Sequence, residues 1–152
     1  MELEIIAEIG INWYTGDDKG GLERAKKLIQ SAKQHGANAV KFQLLRGDKL
    51  NREGVKAEAL RPMELPVEWL PELRETCEKH NVEFMCTPFY PHAVNVLEQY
   101  IERYKIASGD ITYIPLLKAV ASTGKPVILS TGASLPDEIG NAVEILRPDG
   151  TI

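Results

Sequence analysis

Three apolar runs of the sequence end in polar side chains whose chemistry suits an anion. Lys41 and Gln43 lie in the first run, and Lys105 lies in the second. The second and third runs end in two polar turns, Ser108-Gly109-Asp110 and Ser130-Thr131-Gly132. Ammonium groups, hydroxyls and glycine amides bind phosphate and carboxylate oxygens at close range. The pattern predicts a site for a small, doubly anionic ligand.

Charged side chains inside apolar runs need an explanation, because a lone charge is costly to bury. Glu8, Lys41, Gln43 and Lys105 each lie in a run that is otherwise typical of a buried strand. Side chains alternate along a strand, so Lys41 and Gln43 share one face, and helices would cover the other. The shared face would then line a cleft or a barrel interior. The alternative is an ion pair of Glu8 with Lys41 or Lys105 that binds no ligand.

Other residues near the predicted strand ends are ambiguous on their own. Asp110 suits either a general base or a cap of the next helix. Thr87 and Phe89 follow another strand, where Phe89 could close a pocket over a ligand or simply pack. Trp13 and Tyr14, in the first loop, could stack on a substrate or anchor the loop at the surface.

These residues need a sheet whose strands all end on one side. Apolar runs predict strands at 3–10, 38–43, 82–87, 103–108 and 127–131. Apolar residues at helical spacing predict helices at 22–35, 66–79, 91–100, 114–121 and 135–146. The link at 44–66 has no sustained period, and Ser134 to Asp137 predicts a capping box. The alternation predicts a parallel α/β sheet, doubly wound or barrel-shaped, with ligands at the carboxyl ends of the strands.

Composition predicts an ordinary globular domain. The 152 residues are 43% hydrophobic and 26% charged, and their net charge of −4 argues against a nucleic-acid surface. No window reaches the roughly 20 apolar residues of a membrane span, and the acidic start of the chain predicts no leader peptide. Cys77 and Cys86 form no paired motif, which predicts reduced thiols and a cytoplasmic location. We expect one domain over 1–152, with neither nucleic acid nor membrane as a partner.

Five segments, taken in order, resemble the sialic acid synthase (N-acetylneuraminate synthase) family. They are IAEIGIN at 6–12, AVKFQ at 39–43, TPF at 87–89, YKIASGD at 104–110 and GKPVILSTG at 124–132. The resemblance implies a (β/α)8 barrel that condenses phosphoenolpyruvate with N-acetylmannosamine or a related amino sugar. Carbon–oxygen cleavage would release phosphate, and a divalent metal ion, manganese or magnesium, would assist in the complete enzyme.

The resemblance also assigns roles to residues of this chain. Glu8, Asp110 and Lys105 would be catalytic: Glu8 would position the reacting groups near the metal, and Asp110 would handle the sugar hydroxyls or a proton. Four residues would hold phosphoenolpyruvate: Lys41, Lys105, Ser108 and Ser130. The other substrate-binding residues would lie beside it or in the same pocket, namely Thr87, Phe89, Gln43 and Asn12.

Two departures from the family pattern limit the resemblance. The family's first loop reads Asn-His-Asn-Gly, whereas here Asn12 is followed by Trp13-Tyr14-Thr15-Gly16. The chain also supplies about five strand–helix units of the eight, so we expect a partial barrel that is incomplete for catalysis. None of its histidines, His35, His80 and His92, matches the metal ligands of the family.

Three hypotheses for function therefore stand at the level of sequence. The first is the N-terminal part of a sialic acid synthase-like enzyme that acts on small molecules and forms a homodimer. The second is a non-catalytic module or remnant that binds a phosphate or carboxylate. The third keeps the barrel but uses Lys105 or Lys41 to form a Schiff base, as in lysine-dependent aldolases.

Overall fold

The computed structural model describes residues 3–16, 20–50 and 57–147. Within these ranges, strands alternate with helices along the chain. The strands are β1 (Ile6–Gly10), β2 (Ala39–Leu44), β3 (Glu83–Pro88), β4 (Tyr104–Ile106) and β5 (Val127–Leu129). The helices are α1 (Gly21–Gln34), α2 (Ala57–Leu60), α3 (Leu70–Lys79), α4 (Pro91–Leu97), α5 (Ile114–Ala121) and α6 (Pro136–Leu146). Short 3-10 turns lie at Arg61–Met63, Val67–Trp69 and Ser108–Asp110.

The strands are parallel and follow chain order, as in part of a (β/α)8 barrel. β1, β2 and β3 form one hydrogen-bonded sheet, and β4 and β5 form another, with β4 lying beside β3. In register, Glu8 lies opposite Lys41, and Gln43 lies opposite Thr87. Lys105 pairs with Ile128 on the neighbouring strand. The fold is thus a partial TIM barrel, and the predicted α/β class is confirmed.

Each strand has one face toward the helices, and these faces form the core. Phe42 of β2 and Phe84 of β3 are buried, with ring centroids 5.7 Å apart. Tyr104 of β4 is also buried, and its hydroxyl donates a hydrogen bond to the Val94 carbonyl of α4 at 2.9 Å. Because side chains alternate along a strand, Lys41 and Lys105 lie on the face away from this core.

Several predicted element boundaries are wrong by a few residues. The first strand begins at Ile6, not at residue 3, and the last begins as predicted but ends at Leu129. β4 ends at Ile106, because the chain turns: the Asp110 amide donates to the Ala107 carbonyl at 3.0 Å. The helix predicted from residue 66 begins as a 3-10 turn and becomes α-helical at Leu70. Backbone hydrogen bonding sets these ends, and residue composition does not report it.

The cap of the last helix also differs from the prediction. The Glu138 carboxylate accepts a hydrogen bond from the Leu135 amide at 2.7 Å, so Leu135 precedes the first turn. Ser134 instead donates its hydroxyl to the Gly132 carbonyl at 3.4 Å. The predicted capping box at Ser134 is therefore displaced by one residue, because Pro136 already occupies the first helical position.

Candidate functional site

Lys41 lies at the centre of a polar cluster near the carboxyl ends of β1, β2 and β3. Its ammonium group forms an ion pair with the Glu8 carboxylate and lies 3.5 Å from the Thr87 hydroxyl. The Gln43 side-chain amide donates a hydrogen bond to the same carboxylate at 2.9 Å. Glu8 is 44% exposed and Lys41 is 15% exposed, so the pair borders solvent. The Glu8–Lys41 ion pair that the sequence offered as an alternative to ligand binding is therefore present.

Lys105 approaches the same region from β4. Its ammonium group donates hydrogen bonds to the Ser130 hydroxyl and to the Ile106 carbonyl, both at 2.6 Å. Burial lowers the pKa of Lys105 below its ordinary value, and the positive charge of Lys41 lowers it further. The carboxylates of Glu8 and Asp110 oppose this shift. The two lysines thus lie close enough to repel one another, on the same side of the sheet.

The turn after β4 brings two more of the predicted residues to this edge. Asp110 is only 7% exposed, in the 3-10 turn Ser108–Asp110. Ser108 faces Gly132, since a Cβ atom at Gly132 would lie 3.7 Å from the Ser108 hydroxyl. The backbone amides of Asp110 and Ser130 donate to the carbonyls of Ala107 and Ile106. These two amides are therefore engaged within the backbone and are not available to a ligand.

A cleft of about 320 Å³ lies beside Asp110. Phe89, half-buried at the end of β3, forms one wall, and Tyr113 forms another. The Phe89 amide donates to the Leu44 carbonyl at 3.4 Å, which holds the residue beside β2. The rest of the lining comes from the β2 link and from the turn after β4, with Lys49, Leu50, Gly109 and Thr112. The cleft combines aromatic rings with a carboxylate, which suits a sugar-sized polar molecule.

The first loop holds Asn12 at the surface and turns Trp13 inward. The Asn12 side-chain amide donates to the Ile9 carbonyl at 2.9 Å, and the Asn12 carbonyl accepts from Arg24 at 2.7 Å. Trp13 is 4% exposed, and its ring centroid lies 5.3 Å from that of Trp69 in an edge-on contact. The expectation that Trp13 stacks on a substrate or anchors the surface is wrong. The ring packs between Trp69 and the first turn of α1, where a Cβ atom at Gly21 would lie 3.2 Å from the Trp13 ring and 2.8 Å from the Trp69 ring.

The described residues do not hold a metal ion by themselves. Among residues 3–16, 20–50 and 57–147, no three histidine, cysteine or carboxylate side chains gather as candidate ligands. The Glu8 carboxylate already binds Lys41 and Gln43. A metal ion at this edge would need ligands from outside the described residues. Nor is any helix in the same three ranges long and apolar enough to cross a membrane.

Sequence reasoning missed residues whose proximity depends on three-dimensional packing. Lys49 and Tyr113 reach the cleft beside Asp110 from connections that show no periodic pattern. Arg103, at the opposite end of β4, was also missed, although it precedes Lys105 by two residues. Because side chains alternate along a strand, that spacing was a signal that both side chains share one face.

Comparison with known proteins identifies relatives of this architecture. The model of the NeuB family matches residues 28–151. An uncharacterised protein of Methanocaldococcus jannaschii is 42% identical over 96% of this chain and 42% of its own length. The N,N'-diacetyllegionaminic acid synthase of Legionella pneumophila is 36% identical over 97% of this chain and 45% of its own. The chain thus spans less than half the length of these curated relatives.

Solved structures agree with these relationships. The N-acetylneuraminic acid synthetase of Leptospira borgpetersenii, solved with citrate, superposes with a TM-score of 0.88 at 37% identity. That match covers 97% of this chain and 51% of the solved chain. A truncated 3-deoxy-D-arabino-heptulosonate 7-phosphate synthase of Thermotoga maritima superposes with a TM-score of 0.69 at 16% identity, a likeness of fold alone.

Proposed function

Since the chain belongs to the NeuB family of sialic acid synthases and their relatives, we propose that it binds phosphoenolpyruvate for condensation with an amino sugar. Phosphate is released in that reaction by carbon–oxygen cleavage. The observation that carries the proposal is the convergence of Lys41 and Lys105, from separate sheets, on one polar edge.

Phosphoenolpyruvate fits this edge because it carries two anionic groups. Two ammonium groups repel one another, and burial makes the charge on Lys105 unfavourable. An anion bound between them removes both penalties, since it neutralises the charges and replaces the lost hydration. The hydroxyls of Ser108 and Ser130 supply further hydrogen bonds to phosphate or carboxylate oxygens. Thr87, 3.5 Å from the Lys41 ammonium, lies beside the same anion.

Glu8 changes partners in this proposal. Its carboxylate binds both Lys41 and Gln43 in the structure. An anionic substrate at Lys41 competes with Glu8 for the ammonium group. Glu8 and Gln43 are then available to the hydroxyls of the amino sugar. Because Glu8 is 44% exposed, this exchange requires no opening of the core.

The amino sugar is N-acetylmannosamine or a related molecule in this proposal. The cleft beside Asp110 and Phe89 receives it, Asp110 accepts hydrogen bonds from its hydroxyls or takes a proton, and Asn12 borders the same side. A manganese or magnesium ion, held by ligands from outside the described residues, would polarise the sugar carbonyl in the complete enzyme. We also propose a homodimer in the cytoplasm, in keeping with small-molecule substrates.

A second candidate function follows from the lowered pKa of Lys105. An amine whose pKa is lowered by burial and by a neighbouring cation is a better nucleophile at neutral pH. Lys105 could then form a Schiff base with a carbonyl substrate. Borohydride trapping with pyruvate tests this second function: a labelled Lys105 would support the aldolase, and an unlabelled Lys105 would argue against it.

Calorimetric titration of phosphoenolpyruvate tests the proposal. We expect Lys105→Ala to weaken binding by about ten- to a hundredfold, because a charge-assisted hydrogen bond contributes about 1.5–3 kcal/mol. Lys118→Ala, which alters an exposed lysine of α5, is the matched control and should leave the affinity unchanged. Equal affinity of wild type and Lys105→Ala would remove Lys105 from the site.

Turnover is a separate question from binding. Phosphate release from phosphoenolpyruvate, N-acetylmannosamine and manganese measures it directly. We expect the 152 residues alone to bind phosphoenolpyruvate without releasing phosphate. Phosphate release by this chain would contradict the expectation that it is incomplete for catalysis.

A further inference from the structure

Arg103 lies at the amino end of β4 and bridges two carboxylates. Its guanidinium donates to Glu83 twice, at 2.9 Å from Nε and 2.7 Å from Nη2. It also donates to both oxygens of Glu4, one of them at 3.0 Å from Nη1. The side chains of Arg103 and Glu83 are 20% and 26% exposed, whereas that of Glu4 is 45% exposed, so the cluster borders solvent on the Glu4 side. We call this cluster of three side chains, Arg103, Glu4 and Glu83, the Arg103 brace.

The Arg103 brace lies on the same face of the sheet as the two lysines, at the opposite end of the strands. Arg103 precedes Lys105 by two residues, so their side chains share a face, and Arg103 binds Glu4, which lies four residues before Glu8. Glu83 lies opposite Ala39 in the strand register, two residues before the position opposite Lys41. The brace therefore forms a layer beneath the polar edge that carries Lys41 and Lys105.

The hydrogen-bonded sheet is interrupted between the two lysines. Lys41 belongs to the sheet β1-β2-β3, and Lys105 belongs to the sheet β4-β5. Within the described ranges, no backbone hydrogen bond joins β3 to β4. Side chains must therefore fix the position of β4 relative to β1 and β3. Arg103 does so on the concave face, because its four hydrogen bonds connect β4 to β3 and to the segment that enters β1.

We propose that Arg103 is a positioning residue that ties β4 to β1 and β3, so that Lys105 and Lys41 converge on one anion at the far end of the strands. This rests on the proposed function. A guanidinium suits the task because its planar fork binds two carboxylates in fixed geometry, whereas an ammonium group is a flexible point charge. Loss of the fork leaves β4 free to shift against β3.

The test compares Arg103→Met with a matched control, Arg74→Met. Arg74, on α3, is also partly buried and also binds two carboxylates, those of Glu78 and Glu102. It lies on the outer helical layer and contacts neither lysine. Arg103→Lys retains the charge without the fork, and Glu4→Gln keeps the arginine but removes one charge. Circular dichroism and thermal unfolding show which variants fold.

Affinity for phosphoenolpyruvate is the first measurement. We expect Arg103→Met to weaken binding about tenfold, or about 1.4 kcal/mol, with smaller losses for Arg103→Lys and Glu4→Gln. Arg74→Met should bind within twofold of wild type, even if its melting temperature falls as much. Wild-type affinity in folded Arg103→Met would overturn the proposal. So would an equal loss in Arg74→Met, because that loss would reflect general destabilisation.

The second measurement needs no substrate, so it separates failure of this proposal from failure of the proposed function. Nuclear magnetic resonance of 13C-dimethylated lysines follows the titration of Lys105 in each variant. If the Arg103 brace holds Lys41 beside Lys105, Arg103→Met and Glu4→Gln raise the pKa of Lys105 toward its ordinary value. Arg74→Met leaves it unchanged. An unchanged pKa of Lys105 in all variants would overturn the proposal, whether or not phosphoenolpyruvate binds.

Discussion

Replacing Glu8 by glutamine should separate stability from anion binding. Glu8 is the carboxylate that faces Lys41, and Gln43 also donates to it. The substitution keeps the size and the hydrogen-bonding capacity of the side chain but removes its charge. Without that charge, Lys41 loses its partner in the ligand-free protein. Phosphoenolpyruvate no longer competes with Glu8 for the ammonium group.

The expected magnitude follows from the exposure of the pair. An exposed ion pair contributes about 0.2–1 kcal/mol, and a hydrogen bond to a charged group about 1.5–3 kcal/mol. Lys41 is 15% exposed, but Glu8 is 44% exposed, so solvent screens much of the attraction. We therefore expect Glu8→Gln to lower the free energy of unfolding by about 1 kcal/mol. Affinity for phosphoenolpyruvate should rise about fivefold, the factor that corresponds to the same free energy.

Two assays measure these effects on the same protein. Urea unfolding followed by circular dichroism gives the stability, and calorimetry at low ionic strength gives the affinity. Glu138→Gln, on the outer helix α6, is a control for a general change in net charge, and it should leave affinity unchanged. Weaker phosphoenolpyruvate binding in Glu8→Gln would refute the competition between Glu8 and the substrate for Lys41.

Three further predictions follow from buried groups. The pKa of Lys105 is lowered in the folded protein, whereas in the unfolded chain it lies near about 10.4. Between these two pKa values the unfolded chain binds more protons than the folded protein. The free energy of unfolding should therefore rise with pH in this window. Lys105→Met should abolish this rise in urea unfolding measured at several pH values, and a rise of equal size in Lys105→Met would contradict the reasoning. Trp13→Ala should cost about 3–5 kcal/mol in urea unfolding through the lost contact with Trp69, and a loss below about 1 kcal/mol would contradict the buried contact. Burial raises the pKa of Cys77 to about 12 and raises the pKa of Cys86 as well. An aromatic disulfide reagent at pH 8 should therefore modify neither thiol until urea is added. Rapid labelling of the native protein would contradict this prediction, because it would show that the thiols are accessible.

Side-chain alternation made the inner face of the sheet predictable from sequence. Lys41 and Gln43 were expected on one face, and the structure has both beside Glu8. The parallel direction of the strands also followed from the alternation of apolar runs with helices, but their order did not, because a doubly wound sheet and a barrel both fit that alternation. What the sequence left open was distance between elements, because packing alone decides which side chains meet. Lys105 could have paired with Glu8, but it donates instead to Ser130 and Ile106.

Element ends and loop side chains were less predictable, for two physical reasons. Backbone hydrogen bonds end β4 at Ile106, two residues before the predicted end, because the chain enters a turn that the Asp110 amide closes. The environment of Trp13 depends on Trp69, which lies 56 positions later in the sequence. The spacing of residues along the sequence does not predict a contact between side chains so far apart in the chain. The Arg103 brace shows the same limit, since Glu4 and Arg103 are 99 positions apart.

A crystal structure of the chain with phosphoenolpyruvate tests the central claim most directly. We expect one phosphoenolpyruvate molecule with its phosphate or carboxylate oxygens about 2.7–2.9 Å from the ammonium groups of both Lys41 and Lys105. Ser108 and Ser130 should contact the same molecule. Phosphoenolpyruvate bound elsewhere on the chain, or in contact with one lysine while the other stays with its present partners, would contradict the account.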